Sequence, residues 1–241
     1  MISIVMPTYN RSYNLKESYE AVNNELMKAG FIYELIFVDD GSQDGTKEIL
    51  KDLCSMHSNT KGVILKENYG QQNATLAGIR LSKYPYIVTI DDDLSHDPKG
   101  IILMIDEIQK GYDVVYGVNE QQHDKLYRHV GTRAKELIFF VLLKKPFSLR
   151  LTSYRMMTRR VADYICKDNS PKVYLSAKIL QYTRNIQNIS IKYLTKGESS
   201  NYTVWKLVAL LSNVVLNYTQ LSWVYQRFNH SKQYEIEEIY Q

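Results

Sequence analysis

Tyr86-Ile87-Val88-Thr89-Ile90-Asp91-Asp92-Asp93 runs from an apolar strand directly into three carboxylates. Adjacent carboxylates repel one another and cost stability unless a cation neutralises them. Alternate residues of an extended segment share a face, so Asp91 and Asp93 can point together, one toward a nucleotide and one toward a divalent metal. Hard oxygen ligands suit Mg²⁺ or Mn²⁺, completed by phosphate oxygens and water. The plainer alternative for the triplet is a solvated acidic loop that caps the following helix.

The same pattern, an apolar strand closed by a polar cluster, recurs upstream. Residues 2–6 read as a buried strand ended by Pro7-Thr8-Tyr9-Asn10, followed by a helix from about Asn14 to Lys28. Tyr33 to Val38 is a second strand ending in Asp39-Asp40-Gly41-Ser42, and Asp44-Gly45-Thr46 opens a helix to about Met56. Gly62 to Leu65 is a third strand, Asn68-Tyr69-Gly70 a turn, and Gln71 to Ser82 a helix. Downstream, Pro98 stands near the start of a helix that reaches Lys110, and Asp113 to Tyr116 is a fifth strand. Strands alternating with helices predict an α/β fold, a mostly parallel sheet with helices on both faces. Ligands of such sheets lie beyond the carboxyl ends of the strands. The three polar clusters are therefore expected to converge on one crevice. There Asp40 can accept hydrogen bonds from a base or ribose, and Asp44 can cap its helix. After about residue 120 the pattern turns helical and strand signals weaken.

Composition narrows the function classes. The 241 residues are 44% hydrophobic and 23% charged, which suits a globular core and excludes disorder or a disulfide scaffold as the main story. A net charge of +4 is too small to argue for nucleic acid and is compatible with an anionic substrate or a membrane surface. Cys54 and Cys166 stand far apart and read as reduced, buried thiols. No glycine-rich phosphate loop is present, which argues against hydride transfer and ATP hydrolysis. Of the five histidines only His96, just after the acidic triplet, is a candidate site neighbour. The N-terminus lacks the marks of a signal peptide, so a cytoplasmic location is expected. Leu137 to Leu143 is too short to span a bilayer, and Val204 to Phe228 repeats its apolar residues as an amphipathic helix does.

Taken together, Pro7-Thr8-Tyr9-Asn10, Val38 through Thr46, Asn68-Tyr69-Gly70 with Ala74 and Gly78, and Asp91-Asp92-Asp93 resemble the inverting GT-A glycosyltransferases of family 2 in order and spacing. Within that family the chain is similar to the dolichyl- and polyprenyl-phosphate sugar transferases (dolichyl-phosphate mannose synthase-like). Asp91 through Pro98 resembles their Asp-x-Asp-Leu-Gln-His-Pro-Pro metal motif. Thr152-Ser153-Tyr154-Arg155-Met156-Met157 resembles their Ser-Phe-Arg-Leu segment, and Gly197 through Thr203 their Gly-x-Ser-x-Tyr loop.

The resemblance implies a GT-A fold: a Rossmann-like sheet flanked by helices, with a C-terminal helical acceptor region. Residues 1–120 would form the nucleotide-sugar-binding half, 121–228 an acceptor-binding half with amphipathic helices, and 229–241 a tail. It implies that Pro7, Tyr9 and Asp40 hold the nucleoside, and that Asp91 and Asp93, beside Asp92, hold the Mg²⁺ or Mn²⁺ ion and the diphosphate. Arg128 and Thr132 match phosphate-binding positions; Asp93, Arg128 and Arg155 would carry catalysis, and the Leu137 to Leu143 helix would face the lipid. Three positions depart from the pattern: Arg11 replaces an acidic residue, Asn119 an arginine, and Leu194 or Thr195 a second arginine whose charge Lys192 or Lys196 could supply. The implied reaction moves a sugar from a UDP- or GDP-sugar to a polyprenyl phosphate in cell-envelope glycan synthesis. The protein would work in the cytoplasm, at the inner face of the membrane or beside a membrane-anchored partner. Alternatives are a soluble transferase acting on a saccharide of the O-antigen, capsule or teichoic acid type, or a catalytically weak partner subunit that binds a sugar nucleotide.

Overall fold

The computed structural model describes residues 1–119, 140, 143–194 and 232–241. The first part alternates as expected: β1 (Ile2–Thr8), α1 (Leu15–Lys28), β2 (Tyr33–Asp39), α2 (Thr46–Met56), β3 (Thr60–Leu65), α3 (Gln71–Leu81), β4 (Tyr86–Thr89), α4 (Gly100–Gln109) and β5 (Val114–Asn119). Then come β6 (Arg155–Thr158), α5 (Arg159–Cys166), α6 (Leu175–Tyr182), β7 (Ile186–Ile191) and β8 (Ile236–Tyr240).

All eight strands form one sheet in the order β7-β5-β6-β4-β1-β2-β3-β8. β1 lies at its middle and pairs in parallel with β2 and β4. Every residue of β1 and β2 is buried, which a strand covered by helices on both faces requires. Alternation sorts their side chains: Ile4, Met6, Leu35 and Phe37 join one core with α1, α2 and α4, while Val5, Ile36 and Val38 join a second core with α3, α5 and α6. α1 buries Leu15, Ser18, Tyr19, Val22 and Leu26, a stripe at helical spacing. α3 sits close against the sheet at Gly78, where an added Cβ would stand 2.4 Å from Val5 Cγ1.

The region after residue 120 holds more sheet than its sequence suggests. β6 runs antiparallel between β4 and β5, and β7 pairs in parallel with β5 at the sheet edge. The segment expected to be a tail supplies β8, which pairs antiparallel with β3. Lys47 holds its Glu238 at 2.6 Å, and Lys66 holds Glu235 at 3.4 Å. Arg80 of α3 adds hydrogen bonds to Gln233 Oε1 at 2.8 Å and the Tyr234 hydroxyl at 2.9 Å. Among the described residues no helix is long and apolar enough to cross a membrane. Arg128, Thr132, Thr195, Lys196, the Gly197–Thr203 loop and the Val204–Phe228 helix lie outside the described residues, as does the Leu137–Leu143 run apart from Phe140 and Leu143.

Candidate active site

Because β2 and β4 flank β1 in parallel, the residues that follow these three strands meet at one end of the sheet. The loop after β1 is laced to the loop after β2. Asn10 N donates to Ser42 Oγ at 2.7 Å, and Gln43 N donates to Asn10 Oδ1 at 2.9 Å. Ser12 N donates to Asp44 Oδ2 at 3.1 Å. Asp44 also accepts from Thr46 N and Oγ1, which ties it to the first residue of α2, while Gly45 stands at the N-cap position. Gly41, at φ +75°, makes the turn between them, and a Cβ there would stand 2.6 Å from the Glu67 carbonyl carbon.

Asp39, which ends β2, and Asp40, which follows it, have different partners. Asp40 is 3% exposed, and its oxygens accept from Tyr69 N and Gly70 N at 2.8 Å each. Burial pushes its carboxyl up to about 6 against the pull of those two bonds. Asp40 therefore braces the loop that leads into α3. Asp39 accepts from Ser42 N and the Ser42 hydroxyl, while its Oδ2 is buried with no partner among the described residues. Asp39 is thus the aspartate of this pair with an acceptor to spare. Pro7 stands in register with Val38, and Tyr9 is 46% exposed at the strand end.

Asp91, Asp92 and Asp93 point to different neighbours. Asp91 accepts from Gln71 Nε2 at 2.6 Å on one oxygen and from the Ser153 hydroxyl on the other. Burial raises its carboxyl, and the Asp93 charge adds to that; Ser153, His96 and Arg155 oppose it. Asp93 is exposed, and its Oδ1 accepts Ser95 N at 2.9 Å. Asp92 is buried, and its backbone carbonyl accepts the Ser18 hydroxyl at 2.8 Å. Burial pushes the Asp92 carboxyl up to about 6, with Thr8 and Arg11 favouring its charged form. The three charges thus act on one another, with Thr8 and Arg11 nearest Asp92 and Arg11 also felt by Asp93.

His96, the candidate neighbour, is buried beside the acidic pair. Its Nδ1 lies 3.0 Å from Ser95 Oγ, and its ring meets Tyr154 and Tyr193 edge-on at 4.9 and 4.6 Å. Burial lowers its pKa while Asp91 and Asp93 raise it. Residues 192–194 are zipped onto this segment: Leu194 N donates to Ser95 O at 2.9 Å, and Asp97 N to Lys192 O at 3.4 Å. The Tyr193 hydroxyl is pushed up to about 12 by burial, then by the charges of Asp91 and Asp93. Tyr193 thus reaches the field of both carboxylates, in the stretch where an arginine was missing.

Arg155, expected to carry catalysis, is buried in the structure. It is 2% exposed, its Nη1 donates to Ser176 Oγ at 3.0 Å, its guanidinium lies 5.9 Å from the Tyr116 ring centre, and its Nε has no partner among the described residues. Enclosed between β5, β6 and α6, it does not line the open crevice; its charge acts on Asp91 from within the protein. The cause is the strand period: Tyr154 faces the α4 core, so Arg155 turns to the α6 side.

The donor set fits a divalent ion. Among the described residues no three His, Cys, Asp or Glu side chains cluster as a closed metal cage. Two hard carboxylates, Asp91 and Asp93, suit an open site that phosphate and water oxygens complete, as Mg²⁺-type ions prefer. Gln71, Ser153, Tyr193 and Asp39 were not assigned site roles from the sequence. Asp39 and Ser153 stood within quoted motifs, and Gln71 starts a helix directly after the Asn68-Tyr69-Gly70 turn. Two cavities of about 250 and 210 Å³, around Leu180 and Arg184, lie at the far end of β7 from these residues.

Comparison with known proteins agrees with this layout. The model of glycosyl transferase family 2 matches residues 3–166. An undecaprenyl-phosphate 4-deoxy-4-formamido-L-arabinose transferase of Pseudomonas fluorescens is 28% identical, over 89% of this chain and 63% of its own length. The protein of the same name from Edwardsiella ictaluri is 29% identical, over 89% of this chain and 66% of its own. The chain thus spans slightly less than two thirds of these relatives. Among solved structures, glucosyl-3-phosphoglycerate synthase from Mycobacterium tuberculosis, in complex with Mn²⁺, UDP-glucose and phosphoglyceric acid, superimposes with a TM-score of 0.61 at 16% identity, covering 89% of this chain and 77% of that one. S. aureus TarS 1–349 gives 0.56 at 19% identity, covering 92% and 67%. These likenesses establish the GT-A fold.

Proposed function

The chain belongs to glycosyl transferase family 2, and from that premise we propose that it moves a sugar, with inversion, from a nucleoside-diphosphate sugar to a polyprenyl phosphate. The observation that carries the reading is the acidic pair just beyond the end of β4, Asp91 held by Gln71 and Ser153 and Asp93 exposed. The printed names of the relatives supply the acceptor class.

In the proposed reaction an acceptor phosphate oxygen attacks the anomeric carbon as the bond to the nucleoside diphosphate breaks, through an oxocarbenium-like transition state. A Mg²⁺ or Mn²⁺ ion held by Asp91 and Asp93 would supply Lewis-acid neutralisation of charge on the departing diphosphate. The chain's own residues do the rest. Asp39, with its spare acceptor, joins Pro7 and Tyr9 as the nucleoside seat, and Asp40 holds the adjoining loop. From the buried side Arg155 favours the charged form of Asp91, against the burial that raises its carboxyl. Arg128 and Thr132 take the acceptor phosphate. A phosphate acceptor is already ionised at neutral pH, so no general base is required.

Residues 1–120 would seat the donor and residues 121–228 the acceptor, and the enzyme would meet its lipid at the inner face of the membrane. The test is a panel of UDP- and GDP-sugars offered with undecaprenyl phosphate and Mg²⁺ or Mn²⁺, read by mass spectrometry. A lipid-linked sugar that disappears in Asp93→Ala supports the proposal. Turnover only with an oligosaccharide acceptor overturns it, and so does nucleotide binding without turnover on any acceptor.

A further inference from the structure

We propose that Gln71 is a positioning residue that fixes the metal-binding carboxylate of Asp91; this rests on the reading of Asp91 and Asp93 as metal ligands. A carboxylate offers about four lone-pair directions. Gln71 Nε2 takes one on Oδ1, at 2.6 Å, and the Ser153 hydroxyl takes one on Oδ2. Clasped from both sides, the carboxylate plane cannot rotate, and the remaining lone pairs stay available to a cation shared with Asp93.

An exposed glutamine ordinarily samples many rotamers, so the clasp depends on how firmly the start of α3 is held. Asp40 takes the backbone N–H groups of Tyr69 and Gly70 at 2.8 Å each, just before the helix. Gly70, at φ +89°, makes the turn into it. Gln72 Oε1 accepts Leu175 N at 3.2 Å. Asn73 Nδ2 donates to Pro171 O at 2.9 Å, and Asn73 Oδ1 accepts Val173 N at 3.3 Å. Three consecutive amide side chains thus fasten the first turn of α3 to β4's end and to the segment before α6. Gln71 is the one of the three that reaches the acidic pair. Partners that orient a metal ligand typically contribute 10–100-fold to metal affinity.

The experiment measures Mn²⁺ binding to the full chain without turnover, from the electron paramagnetic resonance signal of the free ion, alongside the melting temperature. Gln71→Met keeps the length and helix preference and removes the donor; Gln71→Asn keeps the amide but falls short of Asp91. Both are expected to bind Mn²⁺ about tenfold more weakly than the parent at an unchanged melting temperature, while Asp91→Asn abolishes binding. Unchanged affinity in both Gln71 variants, with binding lost in Asp91→Asn, overturns the positioning role and leaves the metal site standing. Affinity unchanged in Asp91→Asn overturns the metal reading and the proposal with it. A weakening that appears only together with a lower melting temperature assigns Gln71 to the fold and likewise overturns the proposal.

Discussion

Gly78→Ala tests whether the close seat of α3 on the sheet is a real packing constraint. A Cβ at this position would stand 2.4 Å from Val5 Cγ1 and 2.9 Å from Val38 Cγ2. Both valines are completely buried, and β-branched side chains have few alternative rotamers. Two effects oppose each other. Alanine gains about 1 kcal/mol over glycine in a helix interior. Overpacking a filled core costs about 1–3 kcal/mol. Here the contact falls far inside van der Waals distance against two stiff neighbours, so the upper part of that range applies and the clash wins by about 1–2 kcal/mol. For a chain of this size each kcal/mol shifts the melting temperature by about 2–4 °C, giving a fall of about 2–8 °C by calorimetry or circular dichroism. A melting temperature equal to or above that of the parent would refute the packing argument, because the helix-propensity term would then be acting alone.

Three further outcomes are expected. Asp40 and Asp92 have carboxyls raised from 3.8 to about 6, so the native state holds protons that the unfolded chain has released. Their contribution is complete below about pH 4 and is lost as pH rises through 6, at about 3 kcal/mol for each two-unit shift. The urea midpoint should therefore fall between pH 5 and pH 7.5, and less steeply in Asp40→Asn; parallel profiles for the two proteins would contradict the assignment. Arg80→Ala should lower stability by about 1–3 kcal/mol in urea unfolding, because the Cys166 carbonyl loses its donor, the Asp168 carbonyl keeps only Gln233 Nε2, and the Gln233 and Tyr234 contacts of Arg80 go. Arg80→Lys should not restore it, since one ammonium cannot span that fork, and full recovery would count against the geometry. Gly41→Ala should reduce UDP or GDP affinity in calorimetric titration by about tenfold or more, since the added Cβ meets the Glu67 backbone at 2.6 Å in a φ +75° turn; unchanged affinity would separate that turn from the nucleoside seat.

The first half of the fold was legible because its strands are buried on both faces and read as continuous apolar runs, each closed by polar residues. Their limits agree with the structure to within two residues, except that β5 runs three residues further, to Asn119. The later strands lack that signature. β6 is the short run Arg155-Met156-Met157-Thr158, opening on a charged residue that the interior accepts through Ser176 and Tyr116. β8, Ile236-Glu237-Glu238-Ile239-Tyr240, places two glutamates in an edge strand, where Lys47 neutralises them. Each owes its place to partners distant in sequence, β4 and β5 for the first and β3 for the second. Local periodicity carries no record of such pairing.

The site shows the same division between residue type and residue direction. Three aspartates after an apolar strand announced a cation-binding crevice, and alternation placed Asp91 and Asp93 on one side and Asp92 on the other. Yet β4 ends at Thr89, and Leu94 has φ +55°, so no strand ladder enforces that alternation. Individual hydrogen bonds hold it instead: Gln71 and Ser153 on Asp91, Ser95 on Asp93, and Ser18 on the Asp92 carbonyl. Charge is balanced from two directions as well. Arg11 approaches Asp92 and Asp93 from the solvent side, and Arg155 approaches Asp91 from the interior. Each of the three carboxylates therefore has one of two protein cations nearby before any metal arrives, so the triplet can persist in the folded chain without one. The charge left over is suited to an incoming ion bound to a diphosphate. Arg11 then belongs to this balance.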